Sequence, residues 1–558
     1  MTTPSPAPFD ARFATHEVTN QPPPLAPYDA YAGDVPLQQA LQREGAGWSA
    51  QAVAEYGAIT GREAMELGFA ANENRPRFKP VDRFGNRIDE VEFHPAYHRL
   101  MQLGIAHGVT GFAWRHQRTA GAHVARAALM YLHCQADQGT CCPMTMTYAS
   151  VPVFRHAPAL AGEWLPRIIS SEYDSRSLPA WKKSGNTIGM GMTEKQGGSD
   201  VRSNTTRAWP LDATGTLYEL VGHKWFFSAP MCDAFLVLAQ AEKGISCFLL
   251  PRFLPDTATG ARNAIRIQRL KDKLGDWSNA SSEVEFHGAV AWLVGEEGRG
   301  IATILEMVAL TRQDCMIGSS ALMRQALVQA VHHTRHRKAF GKYLNEQPLM
   351  QNVLADLALD SEAAMALTMR VARAVDASQR DAGEAAFARI ATAIGKYAIC
   401  KRCPPFVNEA QECLGGAGYV EESILPRLYR QAPLNSIWEG SGNIQCLDVL
   451  RALKREPETR DALFAEFAMV KGANRRLDAH VARLVHELDD TGNIEQRSRT
   501  LVDMMATGLQ AVQLLRTHDT LAGDNFCAAR LGETLSRNYG TLPASVPFAA
   551  LIERAFQG

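Results

Sequence analysis

Glu439 is a lone carboxylate between Trp438 and the run Gly440-Ser441-Gly442, with Ile437 before it and Asn443 after. An apolar neighbour raises a carboxylate pKa, and a raised carboxylate is a better proton acceptor near neutral pH. Three other segments carry residues of comparable promise. In Met190-Gly191-Met192-Thr193-Glu194-Lys195-Gln196-Gly197-Gly198-Ser199-Asp200, a glycine pair beside hydroxyls lets backbone N–H groups approach a phosphate or a ring edge. In Gly222-His223-Lys224-Trp225-Phe226-Phe227-Ser228, three aromatics are consecutive. A strand alternates faces, so they cannot all enter one core; one or two are left to pack on a flat ligand, with Ser228 offering a hydrogen bond. The third, His336–Lys342, is a basic helix end in which Arg337 leads through Phe340 into Gly341, a composition suited to pyrophosphate. Gln411, Gly415 and Gly416 form a further glycine-rich turn upstream of Glu439. Taken singly, each segment also has a plain structural reading: a turn, an aromatic strand between two layers, a capped helix end, an exposed loop Glu. No GxGxxG after a strand, Walker loop, HExxH or GxSxG occurs.

The elements that must position these residues follow from periodicity. Residues 1–35 form a Pro-rich tail, extended and poor in core positions. Residues 36–180 read as a helical domain; Gln117–Gln138 repeats apolar positions on one face and Gly139 ends it. Residues 181–296 switch to short β-rich runs, Leu217–Val221, Ala234–Ala239, Ser246–Pro251, Ile265–Leu270 and Glu283–His287, which predict a compact antiparallel barrel or sandwich. Residues 297–454 return to long helical patterns over Gly300–Arg337, Pro348–Ala377 and Glu384–Cys413, a helical bundle carrying Glu439. Residues 455–558 add helical stretches at Thr459–Val470, Arg475–Leu488, Glu495–Arg516 and Gly523–Asn538. The fold class is therefore α+β, in the order helical, β, helical, helical.

The bulk properties limit the partners. With 58 Lys+Arg against 59 Asp+Glu over 558 residues, the net charge of −1 excludes a generally basic coat for DNA or membrane. Eleven scattered cysteines, with a lone CxxC at Cys400–Cys403, fit buried reduced thiols and no metal site. No run is long and apolar enough to span a membrane, and the N-terminus lacks the apolar core of a signal peptide, so a cytoplasmic location is expected.

Together the segments escape their separate readings. In order and content, MTEKQGGSD, GHKWFFS, RKAFGK, QECLGGAGY and IWEGSGN resemble the hallmarks of the acyl-CoA dehydrogenase family of flavoproteins, over roughly Pro36 to Lys454. REGAGW, GMGMTEKQGGSDVRSNTTRA, LVGHKWFFS, RLKDKLG, PRLYR and NSIWEGSGNIQCLDVLR are similar to its bacterial adaptive-response branch, induced by DNA alkylation; that branch also carries the added C-terminal helices. The resemblance implies an N-terminal helical domain, a central β domain, a helical bundle and non-covalent FAD. Met190, Met192, Thr193, Gly198, Ser199, Phe226, Phe227, Ser228, Ile437, Trp438, Ser441 and Asn443 would line the flavin that Glu439 faces. Arg337, Phe340, Gln411, Gly415 and Gly416 would reach the FAD of a neighbouring subunit, implying an oligomer, most often a homotetramer. Glu439 takes the place of the base that removes the α-proton of an acyl-CoA while β-hydride passes to flavin N5. The thioester oxygen would be held by the Glu439 N–H and a ribityl hydroxyl. Some relatives carry the base at the position of Leu310-Thr311-Arg312; that stretch has no Glu here, and Arg312 matches a residue that orients the base. Trp438 stands where the resemblance leads one to expect Tyr and adds bulk beside the substrate slot, which points away from ordinary straight chains and to a branched or short acyl-CoA, or to residual activity only.

The branch also implies binding to double-stranded DNA. From Arg455 onward there are 12 Lys+Arg against 14 Asp+Glu, so no domain-wide basic character drives counterion release. Arg475, Arg476, Arg483, Arg497 and Arg499 are the candidate contacts, and a solvated helix face is the plainer reading of the same residues. A catabolic short- or branched-chain acyl-CoA dehydrogenase and a non-catalytic DNA-shielding flavoprotein both stay open at this stage, as does destruction of alkylating agents.

Overall fold

Seven apolar runs close into a barrel at the centre of the chain. The computed structural model describes residues 13–254, 260–517, 520–532, 536 and 538–557. The strands are β1 (Ile188–Gly191), β2 (Arg207–Pro210), β3 (Leu217–Ser228), β4 (Ala234–Ala241), β5 (Gly244–Pro251), β6 (Ile265–Leu270) and β7 (Ser281–Val294). Strand β4 pairs with β2, β2 with β3, β3 with β7, β7 with β5 and β5 with β4, so the ring has no open edge. β1 lies beside β4 and β6 beside β7. The pairing is not purely antiparallel as expected, because β1 and β2 run parallel to β4. Leu217–Val221 also continues to Ser228: register shifts near Val221 and after Lys224 interrupt the alternation that marks a strand.

The helical regions flank the barrel. The helix read as Gln117–Gln138 spans Ala122–Ala136, preceded by Gly121 in the left-handed region at φ 84°. An antiparallel hairpin, Arg77–Val81 with Arg87–Glu92, interrupts a stretch that reads as helical; Asp82 Oδ1 accepts from the N–H groups of Phe84 and Asn86 and closes its turn. After the barrel come α1 (Gly300–His336), α2 (Pro348–Ala377) and α3 (Ala382–Cys413). At 1.5 Å per residue, α1 is about 55 Å long. Then follow α4 (Gly442–Arg455), α5 (Pro457–Ala468), α6 (Arg475–Asp489), α7 (Ile494–Leu515), α8 (Leu521–Arg530) and α9 (Phe548–Ala555). The pattern read as Gly523–Asn538 ends as helix at Arg530, and residues 533–535 and 537 lie outside the described residues. Leu463, Leu484, Met505 and Phe526 of the added helices share one apolar cluster with Leu354 and Leu367 of α2, so 455–558 packs as a continuation of the bundle.

The described part of the tail is not loose. Asn20 exchanges hydrogen bonds with the backbone of Lys338 at 2.9 and 2.7 Å, and Tyr28 Oη donates to Gln325 Oε1 at 2.7 Å. The far ends also meet: Arg554 donates to Gln39 Oε1 at 2.7 Å across 515 residues of sequence, and Arg324 donates to the carbonyls of Gly33 and Ala555. Among the described residues no helix is long and apolar enough to cross a membrane, and all eleven cysteines are buried and outside disulfides.

Candidate active site

Glu439 sits on the loop that leads into α4, and that loop is clamped through its carbonyls. Lys396, buried on α3, donates Nζ to the carbonyls of Asn435 (3.0 Å), Trp438 (2.7 Å) and Gly440 (2.7 Å), using all three of its protons. Arg312 Nε donates to the Glu439 carbonyl at 3.0 Å, and its Nη1 pairs with Asp448 at 2.8 Å. Gln445 donates to the same carbonyl at 3.1 Å. Held this way, Glu439 adopts φ 56°, a left-handed conformation that a non-glycine residue keeps only where its surroundings over-determine it. Trp438 is fixed by Nε1 donating to Asn435 Oδ1 at 2.9 Å.

The carboxyl itself accepts one hydrogen bond, from Thr311 Oγ1 to Oε2 at 2.7 Å. Burial pushes its pKa above the ordinary glutamate value; the Thr311 donor and the nearby Lys396 and Arg312 charges offset only part of that. The Glu439 N–H donates to no group among the described residues. A raised carboxylate beside an unused backbone donor can accept a proton and stabilise a developing oxyanion on one substrate. Arg312, expected to orient Glu439, bonds its carbonyl and not its carboxyl. Thr311, Lys396 and Gln445 escape the sequence reading; Thr311 lies in the very stretch searched for a carboxylate.

The glycine-rich and aromatic segments are joined by a buried ion pair. Glu194 Oε1 and Lys224 Nζ are 2.8 Å apart with both side chains fully buried. Burial opposes the glutamate charge, yet Lys224 and the Thr206 and Thr205 donors outweigh it and hold the carboxyl at about 2. Trp225 N–H donates to the Thr193 carbonyl at 2.8 Å and Asn204 Nδ2 to the Met192 carbonyl at 2.9 Å. Met190, Met192 and Thr193 are half-buried, whereas Gly198 and Ser199 are exposed, and their N–H groups have no partner among the described residues. A Cβ on Gly198 would come within 2.5 Å of Thr193 Oγ1 and force that side chain to move. Phe226 is 51 % exposed and Ser228 half-buried on the same outward side of β3. Phe227 is a correction: strand alternation turns its ring into the barrel core, 4.2 Å between centroids from Phe235, so its side chain cannot line a cofactor.

The remaining residues divide in two. Ile437 (63 % exposed), Ser441 and Asn443 flank Glu439 on its own loop and the start of α4. Arg337 and Phe340 stand at the far end of α1 from Thr311, about 39 Å along the axis, so they do not share a groove with Glu439. Phe340 is wholly exposed at φ 52° on the hairpin Lys338–Tyr343. Gln411 donates to the Gly418 carbonyl at 2.7 Å, and a Cβ at Gly415 or Gly416 would meet nothing within 4 Å, an open backbone surface. The exposed Phe226 ring and the adjacent N–H groups of Gly198 and Ser199, which have no partner among the described residues, fit a flat, phosphate-bearing group such as FAD.

The five arginines of the added helices have different surroundings. Arg475, Arg476 and Arg483 are exposed on α6 and carry no ion pair among the described residues. Arg497 pairs with Glu487 at 2.7 Å and Asp490 at 3.2 Å, partners that would compete with a phosphate for it. Arg499 points the other way, its Nε donating to Asn443 Oδ1 at 2.9 Å.

Comparison with known proteins accounts for this arrangement. Residues 20–175 match the Adaptive response protein AidB N-terminal domain, 189–289 the acyl-CoA dehydrogenase middle domain and 298–454 the acyl-CoA dehydrogenase C-terminal domain. The chain is 52 % identical to AidB of Escherichia coli K12 over 478 residues, covering 85 % of this chain and 87 % of that protein. It is similar to Bd2924 in its apo form (TM-score 0.80, 27 % identity, 89 % of this chain and 99 % of that one). It is also similar to Caenorhabditis elegans ACDH-11 in complex with C11-CoA (TM-score 0.82, 25 % identity, 98 % and 95 %). With its clamped glutamate, its closed barrel and these matches, the chain belongs to the acyl-CoA dehydrogenase family of FAD-dependent oxidoreductases, in its AidB-like branch.

Proposed function

We propose that this protein is an acyl-CoA dehydrogenase-type enzyme of the alkylation response in which Glu439 removes the α-proton of a short or branched acyl-CoA. The observation that carries the reading is the clamped, desolvated Glu439 carboxyl, aimed by Thr311 and backed by Lys396. Bound FAD supplies the acceptor for the β-hydride. The Glu439 N–H donates to the thioester oxygen and acidifies the α-carbon. Trp438, rigid on Asn435, narrows the slot and disfavours long straight chains. Met192, Thr193, Gly198, Ser199, Phe226, Ser228, Ser441 and Asn443 hold the cofactor on this side. Arg337, Phe340, Gln411, Gly415 and Gly416 lie beyond the reach of that groove and meet the FAD of a neighbouring subunit in a homotetramer.

Anaerobic addition of a panel of short and branched acyl-CoAs to the holoprotein tests the chemistry. Flavin bleaching is expected in the native protein and is lost in Glu439→Gln, whose flavin spectrum is otherwise unchanged. Equal bleaching in both would overturn Glu439 as the base.

The same protein binds double-stranded DNA in the cytoplasm and protects it, through a few arginines on an otherwise neutral surface. Arg475, Arg476 and Arg483, set along the solvent side of α6 without carboxylate partners, support this part. A salt titration of holoprotein on a DNA duplex checks it. Affinity should fall steeply with salt; salt-independent binding, or none at low salt, would sink it.

A further inference from the structure

Arg499 is on α7, among the helices added to the bundle, yet the hydrogen bond it makes is to the start of α4, 56 residues earlier. Asn443 is the second residue of α4, after Ser441 at the N-cap and Gly442. A guanidinium only donates, so Arg499 takes the amide oxygen of Asn443 and leaves its NH2 facing outward as a donor. Around the same helix start Lys396, Tyr397, Lys401, Ser436, Gly442 and Gln445 pack together and leave no room for a water molecule. Gln445 is fully buried there, and its Oε1 has no partner. The methylenes of Lys401 close on Gly442, where a Cβ would come within 3.1 Å of Cε. The N-terminus of this 14-residue helix therefore has the Lys401 side chain beside Gly442 and the Arg499 guanidinium on Asn443, which place positive potential at its start.

We propose that Arg499 is a cofactor-positioning residue: it orients Asn443 as a donor to the FAD of its own subunit and adds positive charge at that end of the site. The proposal rests on the flavoenzyme reading above. It also reassigns Arg499, which the sequence groups with the DNA-contacting arginines. The added helices thereby help hold the cofactor although they contain none of the acyl chemistry.

The test uses holoprotein stripped of FAD and titrated with FAD, with binding read from flavin fluorescence, alongside thermal melts of each apoprotein. Arg499→Ala should raise the FAD dissociation constant roughly tenfold, and Arg499→Lys should recover part of the loss. Asn443→Asp keeps a partner for Arg499 and places an acid in the first turn, so the apoprotein should melt no lower. Yet it loses the outward NH2, so its FAD affinity should drop at least as far. Arg475→Ala should bind FAD normally. Native FAD affinity in either Arg499→Ala or Asn443→Asp would overturn the proposal, and weakening in Arg499→Ala alone would reduce the contact to helix packing. Failure of the native apoprotein to take up FAD would instead overturn the flavoenzyme reading itself.

Discussion

The cations around Glu439 and those on α6 have opposite fates. Lys224 and Lys396 are almost wholly buried: Lys396 gives its three protons to carbonyls of the Glu439 loop, and Lys224 donates to the Glu194 carboxylate and the Leu238 carbonyl. Arg475, Arg476 and Arg483 are exposed and have no carboxylate partner among the described residues, though Arg483 lies 3.4 Å from His480 Nδ1. The first group makes geometry and the second is left available to a partner. What a positive charge does is decided by what already satisfies it: Arg497 and Arg499 are two residues apart, yet one is neutralised by carboxylates and the other reaches the start of α4.

The largest effect is expected at the base. Glu439→Gln should lower kcat by about 10²–10⁴-fold, the usual worth of a positioned proton acceptor. In the native protein kcat/KM should rise with pH through a value above the ordinary glutamate pKa of 4.5, since the proton acceptor must be ionised. Stability should show the opposite sign. A raised carboxyl pKa means that the native state loses stability as pH rises through it, so Glu439→Gln should melt higher than native at pH 8, with the gap closing toward pH 4.

Next comes the clamp between the two cofactor segments. Lys224→Met leaves Glu194 buried and unpaired and should cost about 3–5 kcal/mol in urea unfolding. Because that carboxyl is held at about 2, the stability it confers should be present above pH 4.5 and lost as pH falls toward 2. Thr311→Val removes the hydrogen bond that favours the ionised Glu439 carboxyl and should move the kcat/KM profile to higher pH.

Smaller effects are expected on the surface. Arg475→Ala with Arg476→Ala should reduce the salt slope of duplex binding by about 2 while leaving acyl-CoA turnover unchanged. Arg497→Ala should change stability by less than about 1 kcal/mol and alter DNA affinity least. A stronger loss there than at Arg475 would reverse the assignment of which arginines are available.

Much of this was legible from residue order because short motifs carry it. Glu439 and Arg312, both singled out by the motifs, are in contact in the fold, and Pro348–Ala377 and Ile265–Leu270 match their elements end to end. Phe227 was legible too, since alternation that turns Phe226 and Ser228 outward must turn Phe227 in. Lys396 was not: midway along α3 it reads as a solvated helix position, and only the fold brings three carbonyls to it. Arg499 was hidden for the same reason, because no local pattern announces a partner 56 residues away. The hairpin Arg77–Glu92 was lost to its surroundings, a turn read through as helix.

Gln39 and Arg554, joined across 515 residues, bear on how the chain is made. A ribosome adds residues in order, so the N-terminal helices and the barrel emerge long before α9 exists. Until then the acceptor at Gln39 lacks the donor that α9 brings in Arg554, and Arg324, which holds the Gly33 carbonyl, lacks its second acceptor, the Ala555 carbonyl. Closing so long a loop carries an entropy cost that grows with its length, which places this seam late in folding, after synthesis. A nascent chain stalled before residue 548 should therefore be more open to protease near Gly33 than the released protein.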